Sequence, residues 1–371
     1  MTKRRVIEYS YLFVSLLSVL MILLLSEQSV FAKKGSGMIY EDPFDFGSGG
    51  ASLTRATQAG MLIANPAQIP YGDGFHRWVG IEPTVIVGKD SIDFAQESAA
   101  GGSEDQTALI NTLTQTPIHV GISQATAYIN KGFGLGVFSR FESDIFARKY
   151  GETGWPEISF QAESYHGAAV SLASLVLSKA LSFGLTTKYL YAAEPELAIE
   201  VTDTAAIQNL GSSTGMASLV THNTGIGYDA GIILFSQGMN VDYKAALKAD
   251  DIGGTALSGE GTLTEIPQTI SLGLSTTIHN STDAIHLALD YRDIQGAHQE
   301  KLFKRVRAGA KILIRRYVGI GAGILDGNPS YAAELDLLLV RITAAFYTRE
   351  LGESPGVMRR PIYAAGVAVG F

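Results

Sequence analysis

The chain has 371 residues, 46% of them hydrophobic and 17% charged, with a formal net charge of −8 and no cysteine. Disulfide frameworks, thiolate metal sites and cysteine nucleophiles are therefore excluded. The acidic balance argues against nucleic acid as a partner.

The N-terminus carries Lys3, Arg4 and Arg5, then an apolar stretch from Leu12 to Leu25, then Val30-Phe31-Ala32. These are the parts of a secretory signal, with cleavage expected after Ala32. The apolar run is shorter than the roughly 20 residues that a spanning helix needs. Removal of residues 1–32 leaves a net charge of −9. No later segment approaches a membrane-spanning helix, so a membrane protein built from the rest must cross with strands.

Residues 33–75 do not alternate cleanly. Pro43, Gly47, Gly49, Gly50, Gly60, Pro66 and Pro70 mark irregular, turn-rich structure. A free tail would gain nothing by displaying Leu53, Met61, Leu62, Ile63 and Ile69, so this segment is expected to fold inward as a plug.

From residue 76 the pattern changes to period two. In 223–236 Ile226, Tyr228, Ala230, Ile232 and Leu234 oppose Gly227, Asp229 and Gly231, and in 267–278 Ile270, Leu272 and Leu274 oppose Ser271, Gly273 and Ser275. In 284–292 Ile285, Leu287, Leu289 and Tyr291 alternate with Asp290 and Arg292. Segment 302–313 sets Val306, Ala308, Ala310 and Ile312 against Arg305, Arg307, Gly309 and Lys311. The C-terminal segment sets Tyr363, Ala365, Val367, Val369 and Phe371 against Ala364, Gly366, Ala368 and Gly370. One face is apolar throughout, whereas the other is tiny or charged. That is the signature of a barrel wall with lipid outside and an interior within, where small residues leave room for a lumen.

Weaker segments at 77–88, 118–129, 132–146, 156–174, 181–192, 240–247, 317–325, 331–338 and 341–349 bring the expected strands to fourteen. A reversal is expected near Leu339 and Val340, and a loop at 326–330. Long and short connections take turns, as extracellular loops and periplasmic turns do. Two long connections, 104–116 and 202–219, carry helix-like character.

The run Gly50-Ala51-Ser52-Leu53-Thr54-Arg55-Ala56 through Ala64-Asn65-Pro66-Ala67 resembles the N-terminal hatch of the FadL-type long-chain fatty acid transporter family and of the related TraF-like and PorV-like outer-membrane proteins. Tyr347-Thr348-Arg349-Glu350-Leu351-Gly352 is similar to an element of the TraF-like branch. The resemblance implies an all-β, fourteen-stranded transmembrane antiparallel barrel in the outer membrane of a Gram-negative-type bacterium, with the hatch, including the motif Asn65, Pro66 and Ala67, folded into the lumen. It also implies passage of small hydrophobic molecules past the hatch and out through a lateral opening. PorV-like relatives imply the alternative, a scaffold or secretion partner that transports nothing. The domains expected are a signal peptide (1–32), a hatch (33–75) and the barrel (76–371).

Gly366, Val369 and terminal Phe371 resemble the signal read by the outer-membrane assembly machinery, which with outer-membrane lipid is an expected partner. Met61, Leu62 and Ile63 in the hatch, with Leu190 and Leu338 in the wall, are the candidate contacts of a hydrophobic ligand. Arg55, Asp290, Arg292, Arg305, Arg307, Lys311, Glu334 and Asp336 are the expected lumen charge network, with Arg55 paired to Glu334 or Asp336. No nucleophile elbow, phosphate loop or zinc helix occurs, and the seven histidines are dispersed. No catalytic residue, metal or cofactor is therefore assigned; a rim enzyme would have to assemble groups such as Asp144, Glu163 and His166 without a motif.

Overall fold

The computed structural model describes residues 40, 42–56, 59–71, 77–99, 118–149, 156–193, 196–200, 221–261, 263–298, 300–315, 317–350 and 359–370. The signal segment, the two helix-like connections and Phe371 lie outside these residues.

Fourteen long strands form one closed antiparallel sheet. They are β1 (Arg77–Gly88), β2 (Ile118–Asn130), β3 (Phe133–Lys149), β4 (Pro156–Val176), β5 (Leu181–Ala193), β6 (Asn223–Gln237) and β7 (Val241–Asp250), followed by β8 (Thr269–His279), β9 (Ala284–Tyr291), β10 (Val306–Ile314), β11 (Val318–Leu325), β12 (Asn328–Asp336), β13 (Val340–Glu350) and β14 (Arg359–Gly370). Each pairs with its neighbours in sequence, and closure comes from β1 against β14, with Val85 opposite Ala365. Short strands at Glu196–Glu200, Thr255–Gly259 and Glu265–Ile266 extend the wall without adding to its count.

Alternation along each strand sends branched and aromatic side chains outward. Leu172 and Leu185 are 60% and 62% exposed, and Ile122, Val137, Ile226, Ile320 and Val369 are comparably bare. Around the whole circumference this makes an apolar belt that water does not tolerate on a monomer. Hydrocarbon does, and a closed sheet leaves no unpaired backbone edge inside it. The chain is thus a transmembrane β-barrel.

Three boundaries differ from expectation. Residues 302–305 form a helical turn and not the start of a strand, because Arg305 is held in the loop: its Nε donates to the carbonyl of Glu300 at 2.6 Å. The expected loop at 326–330 is a two-residue hairpin turn, since Asp326 and Gly327 both take positive φ (51° and 75°) and Asn328 already pairs with Leu325. Asp-Gly is the pair that such a turn favours. The reversal expected at 339–340 falls instead on Leu337 to Leu339. Leu338 takes φ 74° there, and its amide donates to Asp336 Oδ1 at 2.9 Å. Consequently Leu338, expected to line the interior, stands 75% exposed at a turn tip.

Candidate functional site

The described part of the N-terminal segment begins with Tyr40 and Asp42 and forms α1 (Pro43–Gly47), α2 (Gly60–Ala64) and a 3-10 stretch, Pro66–Tyr71. Asp42 caps α1 by accepting the Asp45 amide at 3.0 Å, and Pro43 occupies the first turn, where its missing N–H costs nothing. Gly49 and Gly50 then turn the chain sharply with φ of 91° and 68°. The Asn-Pro-Ala motif is a fully buried turn. Asn65 Oδ1 accepts the Ala67 amide, and Asn65 Nδ2 reaches back to the Leu53 carbonyl, each at 3.0 Å. Gln68 accepts the Ala56 amide and donates to the Ser52 and Leu53 carbonyls, so the two halves of the segment are stitched together.

This segment rests on inward glycines of the wall. A Cβ on Gly309 of β10 would lie 1.7 Å from the Ser48 carbonyl oxygen, and one on Gly321 of β11 would lie 1.9 Å from Ser48 Oγ. On Gly231 of β6 it would lie 1.9 Å from Asn65 Oδ1; on Gly184 of β5, 2.4 Å from the Ala67 nitrogen; on Gly134 of β3, 2.2 Å from Leu62 Cδ2. Sequence reading takes the tiny face as room for a lumen. In the structure that room is occupied by the chain's own N-terminal residues.

Charge fastens what shape admits. Arg341 faces Asp42 at 3.4 Å, Glu334 at 3.5 Å, and Glu82 more closely, all in the interior. Tyr40 is buried in the same corner; burial first, then Glu82 and Asp42, push its hydroxyl well above the ordinary range, so it stays neutral. Lys311 pairs with Asp45. Asp290 Oδ2 accepts the amides of Ser52 and Leu53 at 2.8 and 3.0 Å, and Arg292 Nη2 donates to the Gly50 carbonyl and to Ser52 Oγ. Lys248 reaches the Ile63 carbonyl and Asp250. Replacing Asp290 with alanine strands two buried amides, each costing about 1–3 kcal/mol. The expected outcome is protease cleavage near Ser52 in the folded variant, read by mass spectrometry, while the native barrel resists.

The expected residues divide accordingly. Met61, Leu62, Ile63 and Leu190 come together in one apolar cluster with Tyr40, Phe138 and Tyr165, whereas Leu338 is remote at its turn. Asp290, Arg292, Arg307, Lys311 and Glu334 face the interior; Arg305 belongs to a loop, and Asp336 is the last residue of β12, on the parity of Glu334 and paired with Arg341. Arg55, expected to meet Glu334 or Asp336, places its Nη1 3.1 Å from His286 Nδ1. Beside that contact lies a cavity of about 10 Å³ lined by Ser48, Arg55, Ser275, Thr277, His286 and Lys311 among others, room for about one water.

Sequence reading misses Asp42, Glu82 and Arg341, although the parity of Ile342, Ala344 and Phe346 already places Arg341 on the inward face. It also misses Lys188 with Asp229 and Asp251, and the group of Arg140, Glu142 and Arg349. Asp144 pairs with His119 at 2.7 Å and with Arg360 at 2.8 Å. His166 is on the outward face, 2.8 Å from Ser139 Oγ, so Asp144 and His166 occupy opposite faces of the wall.

No family model matches the sequence, and no curated protein matches it. Solved structures do. The toluene transporter TbuX of Ralstonia pickettii superposes with a TM-score of 0.50 at 9% identity, covering 91% of this chain and 99% of its own. The Pseudomonas putida toluene transporter TodX gives 0.48 at 13% identity, covering 92% and 99%. The monoaromatic hydrocarbon channel CymD gives 0.46 at 10%, covering 91% and 98%. Identity this low speaks for fold alone, and what it says agrees with the strand pairing: the chain is a closed fourteen-stranded transmembrane barrel with the overall architecture of TbuX.

Proposed function

We propose that this protein is an outer-membrane channel of the FadL type for small hydrophobic molecules, with residues 33–75 acting as its hatch after loss of the signal peptide. The observation that carries the reading is the apolar cluster where hatch meets wall. Met61, Leu62 and Ile63 lie against Leu190, Phe138 and Tyr165, so displacement of α2 would open an apolar surface of the kind a hydrocarbon or acyl chain enters. The toluene transporter with the same fold supports this substrate class. A long-chain fatty acid extends the proposal by the resemblance of the Asn65-Pro66-Ala67 hatch. β1 offers a place for lateral exit, because its register slips between Val79 and Glu82 and Pro83 follows with no N–H to donate.

Cells that make the protein are expected to take up radiolabelled toluene or oleate several-fold faster than cells that lack it. Leu190→Trp, which fills the apolar cluster, is expected to abolish the difference while the barrel still assembles. Equal uptake of both compounds with and without the protein sinks the channel reading. The extensive polar anchoring of the N-terminal segment favours a second reading, a permanently closed scaffold; recovery of a stable partner from detergent extracts together with absent uptake would support it.

A further inference from the structure

The turn that joins β12 to β13 carries the side chains of a different solvent from its neighbours. It consists of Leu337, Leu338 and Leu339, and beside the bare Leu338 the other two stand 53% and 60% exposed. Each of the other short turns at this end of the barrel has a polar side chain among the described residues: Lys131, Lys179, Asn240, Asp283 and Arg315. Leu338 also holds the left-handed φ of 74°, which glycine, asparagine and aspartate adopt more readily. A turn facing water would gain on both counts from asparagine. The backbone, meanwhile, asks little of water. The Leu337 amide donates to the Val340 carbonyl at 2.8 Å, the Leu339 amide to the Leu337 carbonyl at 3.0 Å, and the Leu338 amide to Asp336 Oδ1. The Leu339 carbonyl accepts the Gly370 amide of β14 at 3.0 Å. Three amides and two carbonyls are thus paired inside the protein, as backbone entering lipid requires.

Directly above the turn the outward residues are Leu335, Ile342, Val367 and Val369, all of them part of the exposed apolar belt. No polar side chain interrupts that face before the tip, because Asp336 and Arg341 lie on the inward parity. The adjoining turn is tied to this one by the Asp336 amide on the Tyr317 carbonyl at 2.7 Å, and it presents Arg315 and the half-exposed Tyr317. A cation and a tyrosine ring suit the headgroup boundary, the cation against lipid phosphate. We propose that Leu337, Leu338 and Leu339 insert among the lipids of the leaflet on the side of the chain's last strand end, at the boundary of headgroups and acyl chains, and anchor the β12–β13 side of the barrel there. Continuity with the belt selects lipid over a second copy of the chain or a soluble partner: the turn is the last row of a surface already in hydrocarbon. The inference rests on the membrane-spanning barrel and is independent of transport.

The chain has no cysteine, so Leu338→Cys gives a single site for a nitroxide label. The labelled barrel is reconstituted into phosphatidylethanolamine and phosphatidylglycerol vesicles, and collision of the label with oxygen, which concentrates in lipid, is compared with collision with a water-soluble nickel chelate. Ser281→Cys on the exposed β8–β9 turn supplies the value for water, and Leu172→Cys in the belt supplies the value for hydrocarbon. The oxygen-to-nickel ratio at 338 is expected to be several-fold above that at 281 and to approach that at 172. Leu339→Cys, read in the same way, replaces Leu338→Cys if the latter does not assemble into a heat-modifiable barrel. A ratio at the tip equal to that at 281 places the leucines in water and overturns the proposal, leaving them to a soluble partner. Dipolar broadening that disappears on dilution with unlabelled protein shows a second copy on the turn, and it overturns the proposal as well.

Discussion

Gly231→Val is expected to unseat the N-terminal segment without preventing closure of the barrel. Even the Cβ of the new side chain would lie 1.9 Å from Asn65 Oδ1, well inside contact distance, and Asn65 is the residue whose two hydrogen bonds build the Asn-Pro-Ala turn. Overpacking in a rigid interior costs typically about 1–3 kcal/mol when neighbours can shift. Asn65 is fully buried, and the adjoining Ala67 is held against Gly184 on the next strand. The strain is therefore expected to be relieved by withdrawal of residues 60–71 from the wall. Gly231 itself pairs with Gly184 and Lys248 through backbone bonds that valine retains, so the sheet survives. In planar bilayers the variant is expected to show discrete ion conductance where the native protein is silent. Cells carrying it are expected to become sensitive to large hydrophilic antibiotics. An unchanged bilayer record, with correctly assembled barrel, would mean that the segment does not block the lumen.

Arg341→Met is expected to produce the largest loss of stability of any single interior substitution in this region. The guanidinium is the shared partner of Asp42 on the N-terminal segment, Glu82 on β1 and Glu334 on β12. Removing it leaves three buried acidic groups in one corner. Breaking a buried pair by taking one partner away costs about 3–5 kcal/mol, because the remaining charge is uncompensated. The midpoint of urea unfolding in lipid vesicles is the readout. Combining Arg341→Met with Asp42→Asn, Glu82→Gln and Glu334→Gln is expected to recover much of the loss, which distinguishes uncompensated charge from simple loss of packing. A single variant as stable as the native protein would show that the carboxylates are neutral there and that the corner is held by shape.

Interior charges of this kind are partly legible in the amino-acid pattern. Asp290, Arg292, Lys311 and Glu334 fall on inward positions by parity alone, and they do face inward. Their partners are not legible. Parity leaves Arg55 free to meet Glu334 or Asp336; in the structure its Nη1 lies 3.1 Å from His286 Nδ1, while Glu334 joins Asp42 and Glu82 around Arg341. Parity assigns a side of the wall; it carries no information about height or azimuth across an enclosed space. The same limit explains Leu338, whose parity reads inward only if the turn is placed about one residue too late.

What the amino-acid sequence determined by itself is the wall. Two-residue periodicity is a local property, imposed wherever a strand has different solvents on its two sides, and it is written in each segment without reference to any other. The strand number and the all-β class followed from repeating that one test. Only the tertiary structure decided what the inner face touches. Gly309, Gly321, Gly231 and Gly184 are spread over four strands, yet they meet one stretch of chain between Ser48 and Ala67, more than a hundred residues away in sequence. A glycine reads identically whether it borders empty space or bears a close-packed backbone, and the difference appears only when the barrel closes around its own N-terminal segment.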